Sequence, residues 1–164
     1  MKKVDLIHFD FFKHISTDCL KDIVYKYELP KYVYSKKVIT ESLISLRGNL
    51  PPMFEIFYAQ KSNPNKNILR HINSLGISCD TASQGEIRAA LESGFESEKI
   101  MFTGPSKREP ELEYAVEKEI FSVNIESVQE LMLLDKIAER YGKKQNILVR
   151  FNPNYETGEQ TRII

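Results

Sequence analysis

The run Phe54-Glu-Ile-Phe-Tyr-Ala-Gln-Lys61-Ser-Asn-Pro-Asn sets a lysine at the end of an apolar, aromatic stretch and just before a turn. An amine at the C-terminal end of a strand stands where barrel enzymes keep their reactive groups, and there it can act as a nucleophile toward an aldehyde. A lysine that merely leaves a strand for solvent has the same local signature. The loop Thr103-Gly-Pro-Ser-Lys107 gathers backbone amides and a lysine ahead of a helical pattern. That suits an anion, but it suits a capped turn better and leaves Lys107, like Lys66, at the surface. Glu126 follows another apolar run, where Asn124-Ile-Glu-Ser reads equally well as a strand end leading into a helix cap at Ser127. Metal chemistry has little support, because Cys19, Cys79, His8, His14 and His71 show no ligand spacing. Cys79, inside an apolar run, reads as a small buried core residue.

These groups need a frame, and the sequence repeats one. Short apolar, β-branched or aromatic runs recur at Tyr32-Val33-Tyr34, Phe54 to Ala59, Ile77 to Thr81, Ile100 to Thr103, Phe121 to Ile125 and Ile147 to Phe151, roughly 22 residues apart. Such runs predict strands buried on both faces, and the stretches between them hold one helix and two turns, the βα unit of a parallel sheet. Ile68, Leu69, Ile72 and Leu75 trace one helical face before Gly76, and Ile87, Ala90 and Leu91 do so before Gly94. Ser83-Gln-Gly-Glu86, Ser106-Lys-Arg-Glu109 and Ser127-Val-Gln-Glu130 each match the S-x-x-E capping box. Leu50-Pro51-Pro52 is the main break. It separates a lead-in segment, residues 1–50, with a first strand at Tyr32–Tyr34 and a helix around Ile39 to Leu46, from the repeat in residues 51–164. The fold class is therefore α/β, and periodicity alone allows either an eight-stranded barrel or a doubly wound sheet. Neither G-x-G-x-x-G nor G-x-x-x-x-G-K-[ST] occurs, so nothing supports a dinucleotide or P-loop site.

Composition excludes whole classes of function. A chain of 164 residues is one domain or part of one. With 41% hydrophobic and 28% charged residues it is not a wholesale disordered chain. Twenty-three Lys+Arg balance twenty-three Asp+Glu, which leaves no basic field for nucleic acid or an anionic membrane. The opening MKKVDLIHFDFFKHIS starts basic, but Asp5, His8, Asp10 and Lys13 interrupt any apolar core, and no run approaches the about 20 apolar residues of a membrane span. The expected location is the cytoplasm.

The surroundings of Lys61 carry a more specific signal. Tyr58-Ala-Gln-Lys61-Ser-Asn resembles the lysine motif of the fold type III pyridoxal-phosphate-dependent decarboxylases, the family that acts on ornithine, arginine and diaminopimelate. Cys79-Asp80-Thr-Ala-Ser83-Gln-Gly-Glu86-Ile, Ile100-Met-Phe-Thr-Gly-Pro-Ser-Lys, Val123-Asn-Ile-Glu126-Ser127 and Val149-Arg150-Phe-Asn-Pro-Asn are similar, in order and spacing, to the segments that follow it in the family. Tyr32-Val-Tyr-Ser35 resembles the family's lead-in, so the likeness runs from about residue 28 to 154. It implies a TIM-type (β/α)8 barrel of the alanine racemase-like kind, with about five of the eight strands present, and pyridoxal 5'-phosphate as cofactor. It implies further that Lys61 forms the Schiff base and that Ala59, Asp80 and Arg150 line the cofactor site. Glu86 joins them, although its place in a capping box gives it an equally good structural role. For Asp80 the alternative is a strand-end turn; for Arg150 it is an ordinary strand-end cation.

The likeness also stops short. In the family a ring-stacking histidine, a glycine-rich phosphate loop and an acidic partner of the ring nitrogen lie beyond the arginine strand, and a C-terminal β-domain completes the site across a dimer. Tyr155-Glu-Thr-Gly-Glu-Gln-Thr-Arg-Ile-Ile does not resemble the family's continuation. The expectation is thus an amino-acid decarboxylase in a truncated N-terminal portion, with little activity of its own and a tendency to self-associate. A racemase or cofactor carrier on the same barrel is one alternative. A non-catalytic decoy that pairs with a full-length relative is the other.

Overall fold

The structure, a computed structural model, describes residues 15–28 and 30–151. The expectations for the opening segment through His14 and for Tyr155 to Ile164 lie outside the described residues. The chain divides into two compact units, Met1–Phe54 and Glu55–Ile164.

Among the described residues of the first unit, two helices, α1 (Thr17–Lys26) and α2 (Lys36–Asn49), each begin at a serine cap. Ser16 Oγ accepts from the Cys19 N–H at 3.2 Å and Ser35 Oγ from the Val38 N–H at 3.4 Å, satisfying donors that the helix itself leaves unpaired. α2 contains the expected Ile39–Leu46 helix and extends it at both ends. α1 was not foreseen, and its sequence signal is the Ser16-Thr-Asp18 start, a cap followed by an acidic first-turn residue. The strand expected at Tyr32–Tyr34 is absent: residues 31–35 are irregular. Tyr32 and Tyr34 are 91% and 52% exposed. A three-residue run becomes a strand only by pairing with a neighbour, and no described strand pairs with it.

The second unit is the βα repeat. Its elements are β1 (Phe57–Ala59), α3 (Lys66–Ser74), β2 (Ser78–Thr81), α4 (Gln84–Glu92), β3 (Ile100–Phe102), α5 (Glu109–Glu117), β4 (Ser122–Ile125), α6 (Val128–Arg140) and β5 (Ile147–Val149). All neighbouring strands are parallel and lie in sequence order, β1-β2-β3-β4-β5. That order decides what periodicity left open. A doubly wound sheet reverses direction at a switch point, whereas right-handed crossovers that always step the same way put every helix on one side and build the wall of a (β/α)8 barrel.

Pleat alternation then sorts the side chains. Cys79, Ile100, Phe102, Val123 and Ile125 are between 0 and 4% exposed and face the helices, whose Leu69, Ile87, Leu112 and Ile137 are fully buried. The opposite face carries Ser78, Asp80, Met101, Ser122 and Asn124, so β2 and β4 are apolar on one face rather than both, while β3, with Met101, is apolar on both. β5 is exposed along its length, with Val149 at 73%.

Gly76 and Gly94, at φ 69° and 93°, end α3 and α4 in the left-handed conformation that glycine adopts without strain, as the pattern predicts. Ser83 and Ser127 cap α4 and α6. The third capping box does not form. α5 starts at Glu109 with Arg108 as its cap, and Pro110 supplies the reason. A cap at Ser106 would place Pro110 at the fourth helical position, whose N–H must bond the cap carbonyl, and proline has no N–H to give. At the second position that loss is harmless. Ser106 instead takes φ 55° and the chain turns Lys107 inward.

Candidate functional site

β1 gives way to a single 3-10 turn, Gln60–Ser62, that carries Lys61. The neighbours of Lys61 anchor this turn from two sides. Gln60 is fully buried, and its Oε1 accepts from the Cys79 thiol at 3.3 Å. Ser62 Oγ donates to the Ala59 carbonyl at 2.7 Å, and the Tyr58 hydroxyl donates to the Asn63 carbonyl at 3.1 Å. The residue types in Tyr58-Ala-Gln-Lys-Ser-Asn thus build a fixed platform. Lys61 leaves it exposed, and its amine makes no hydrogen bond among the described residues.

Lys61, Asp80, Thr81, Ala82, Glu86, Thr103, Gly104, Pro105, Asn124 and Arg150 surround one cavity of about 390 Å³ at the C-terminal ends of the strands. Four of the five residues singled out from the sequence, Lys61, Asp80, Glu86 and Arg150, therefore meet. Ala59, the last residue of β1, is half-buried and not part of the cavity lining. Burial pushes the Asp80 carboxyl above the usual carboxylate range. The Thr103 hydroxyl, donating to Oδ1 at 2.5 Å, and the charge of Lys61 pull it the other way. The adjacent Cys79 thiol is pushed up to about 12 by burial and by the Asp80 and Glu86 charges, so it is an inert core group. Glu86 caps α4 with one oxygen: Oε2 accepts from the Ala82 N–H at 2.7 Å, while the Glu86 N–H donates to Ser83 Oγ at 3.2 Å. Its Oε1 takes no hydrogen bond from the described residues. Across from this cap, a Cβ on Gly104 would stand 2.2 Å from the Ala82 carbonyl oxygen, so the two loops touch backbone to backbone and only glycine fits.

Sequence reasoning missed part of this arrangement. Thr103 was visible only as the start of a loop, and its bond to Asp80 spans 23 residues. Asn124 Oδ1 is buried without a hydrogen-bond partner in a residue that lines the cavity. Arg150 is paired with Glu126, Nη1 to Oε1 at 3.0 Å, a contact that follows from the parallel register of β4 and β5 and has no local sequence mark. Lys107 corrects an expectation. It is neither a surface lysine nor part of an anion nest: its side chain is fully buried, and Nζ donates to the Asn124 carbonyl at 2.5 Å and to Glu130 Oε1 at 3.0 Å. Its partners lie 17 and 23 residues ahead, out of reach of any local pattern.

The cavity volume falls within the about 300–1,000 Å³ range of small-molecule sites. Residues 36–163 match the family model described as pyridoxal-dependent decarboxylase, pyridoxal binding domain. The chain belongs to that family. The match runs to residue 163 and so corrects one limit read from motifs, since the segment after 154 had looked unlike the family. Diaminopimelate decarboxylase of Aquifex aeolicus is 38% identical over 137 residues, 84% of this chain and 32% of that protein. L-glutamyl-[BtrI acyl-carrier protein] decarboxylase of Niallia circulans is 32% identical over 133 residues, 81% of this chain and 31% of that protein. The crystal structure of diaminopimelate decarboxylase from Helicobacter pylori complexed with L-lysine superposes with a TM-score of 0.78 at 31% identity, over 82% of this chain and 34% of that one. This chain spans about a third of the length of these decarboxylases. Its fold is part of their barrel, and pyridoxal phosphate is the cofactor of the family. The donor set fits that cofactor: an amine for an aldehyde, a guanidinium and two carboxylates line a single space, whose wall also includes Asn124, with its buried and unpartnered side-chain oxygen. Among the described residues no helix is long and apolar enough to cross a membrane, and no group of three His, Cys, Asp or Glu side chains could hold a metal ion.

Proposed function

We propose that this chain is the cofactor-holding part of an amino-acid decarboxylase, with pyridoxal phosphate joined to Lys61. The observation that carries the reading is the convergence of Lys61, Asp80, Glu86 and Arg150 on one cavity at the C-terminal strand ends. When bound, the cofactor supplies an electron-withdrawing ring that weakens the bond to a departing carboxylate. What the chain itself contributes is position and charge. Lys61 offers its amine from a turn that cannot drift, because Gln60, Ser62 and Tyr58 hold it. Asp80, oriented by the Thr103 hydroxyl, and Glu86 give the cavity negative charge toward a cationic ring or substrate amine. Arg150, steadied by Glu126, offers a guanidinium to an anionic substituent. Ala59 keeps the strand end before Lys61 free of bulk.

A free or carrier-bound α-amino acid is the substrate class supported by the relatives, whose names include diaminopimelate decarboxylase and a decarboxylase of a glutamyl group on a carrier protein. Residence in the cytoplasm and association with a second copy belong to the same proposal. The exposed apolar side chains of β5 support the association, and a compact monomer in sedimentation velocity of the dilute chain would overturn it. The central test is chemical. The chain is incubated with pyridoxal phosphate, reduced with borohydride and mapped by peptide mass; the expected label is on Lys61 and is abolished by Lys61→Ala. Labelling of the exposed Lys66 or Lys99 in preference to Lys61 would sink the proposal.

A further inference from the structure

Beside the cavity lies a buried ion pair that the proposed function leaves unused. The Lys107 side chain has no exposure, Glu130 has 9%, and the ammonium sits 5.4 Å from the Phe102 ring centroid. Taking an ammonium out of water is costly, and geometry for capping α6 does not require it. α4 shows this directly, for Glu86 and Ser83 make the same cap bonds there without a buried lysine. What Lys107 adds is a link to two residues of the cavity wall. One bond runs to the carbonyl of Asn124, a residue of that wall. The other runs to Glu130 Oε1; Glu130 Oε2 accepts from the Glu126 N–H at 2.8 Å, and Glu126 Oε1 accepts from Arg150 at 3.0 Å. We infer that Lys107 is a positioning residue: through the Asn124 carbonyl, Glu130 and Glu126 it sets the β4–β5 wall of the cavity and holds Arg150 toward the ligand. This rests on the cofactor reading of the cavity.

The test is equilibrium dialysis of pyridoxal phosphate against the full chain, with thermal unfolding measured on the same samples. Arg150→Gln is expected to weaken binding about tenfold, the loss of one hydrogen bond to a charged group. Lys107→Met and Glu126→Gln should each weaken it by roughly three- to tenfold, and neither should add to the loss once Arg150→Gln is present, because coupled residues do not act independently. If Lys107→Met does not fold, Glu130→Gln carries the test, since its single acceptor oxygen must give up either Lys107 or the Glu126 N–H. Lys66→Met, which breaks an exposed pair with Glu92, should leave binding unchanged. A lower melting temperature with unaltered affinity, or losses that multiply with that of Arg150→Gln, would reduce Lys107 to a structural lysine and overturn the inference alone. An Arg150→Gln variant that binds as the parent does, or a parent chain that takes up no cofactor, would overturn the cofactor reading and this inference with it.

Discussion

The β2–α4 and β4–α6 connections are built on one local plan and serve different ends. Each passes from a polar strand residue, Asp80 or Asn124, to a serine cap three residues on and a glutamate three residues after that. In each, the glutamate accepts from the backbone N–H of the residue before the cap, Ala82 at 2.7 Å and Glu126 at 2.8 Å. The difference is the second carboxylate oxygen. At Glu130 it is taken by a buried lysine, whereas at Glu86 it takes no hydrogen bond from the described residues and the side chain lines the cavity. The helix start dictates the residue type in both places; only the neighbours brought in from other units decide which carboxylate is structural and which is open to a ligand.

The sharpest way to break this comparison is to truncate both glutamates. Glu130→Ala leaves the Lys107 ammonium buried without its carboxylate and should cost about 3–5 kcal/mol in urea unfolding, while Glu86→Ala should cost about 1 kcal/mol, the worth of a cap. Equal losses would mean that the two carboxylates do the same work. The next test compares the strand-end residues. Asp80→Asn should lower cofactor trapping at Lys61 by about tenfold or more, the loss expected when a hydrogen-bonded charge is removed. At neutral pH it should raise the melting temperature slightly. The sign follows from Asp80 titrating higher in the folded chain than in the unfolded one. Its carboxyl favours folding most at pH below the unfolded value, and that benefit is lost as pH rises through the folded value. The advantage of the asparagine variant should therefore be present at pH 7 and vanish on acidification below the ordinary carboxylate range. A gain that does not vary with pH would refute the assignment.

A smaller effect is expected from Thr103→Val. It removes the hydroxyl that donates to Asp80, so it should cost about 1 kcal/mol and move the Asp80 titration, followed by carboxyl NMR, still higher. The smallest response belongs to Cys79. Iodoacetamide at pH 8 should modify the exposed Cys19 of the folded chain and leave Cys79 untouched until the chain unfolds. Rapid labelling of Cys79 would show that water reaches the strand beneath the cavity.

Much of this molecule is legible from its residues because much of it is local. Apolar runs, serine caps and left-handed glycines locate β1 to β5 and α3 to α6 within a few residues, and the platform of Lys61, apart from the Gln60–Cys79 bond, is contained in six consecutive residues. What escaped depends on partners elsewhere in the chain. Tyr32–Tyr34 has strand-like residues but no strand beside it. Lys107 has the composition of a surface loop, and its burial is intelligible only when Asn124 and Glu130 come into place. Pro110 is the instructive exception, for its missing N–H lay in plain view and by itself rules out a cap at Ser106.

The register of the sheet also has a consequence for how the chain reaches this state. Phe57 pairs with Ser78, Cys79 with Ile100 and Met101 with Ser122, each 21 residues on, and Val123 pairs with Ile147, 24 residues on. Among the described strands none pairs with a distant partner, so each of these loop closures is short and its entropic cost small. During synthesis β1 and β2 can pair while β3 is still being made. The partners of the cavity residues follow the same chain order: Asp80 needs Thr103, one βα unit on, and Lys107 needs β4 and the first turn of α6. Arg150, on the far side of β5, needs Glu126 of the preceding unit.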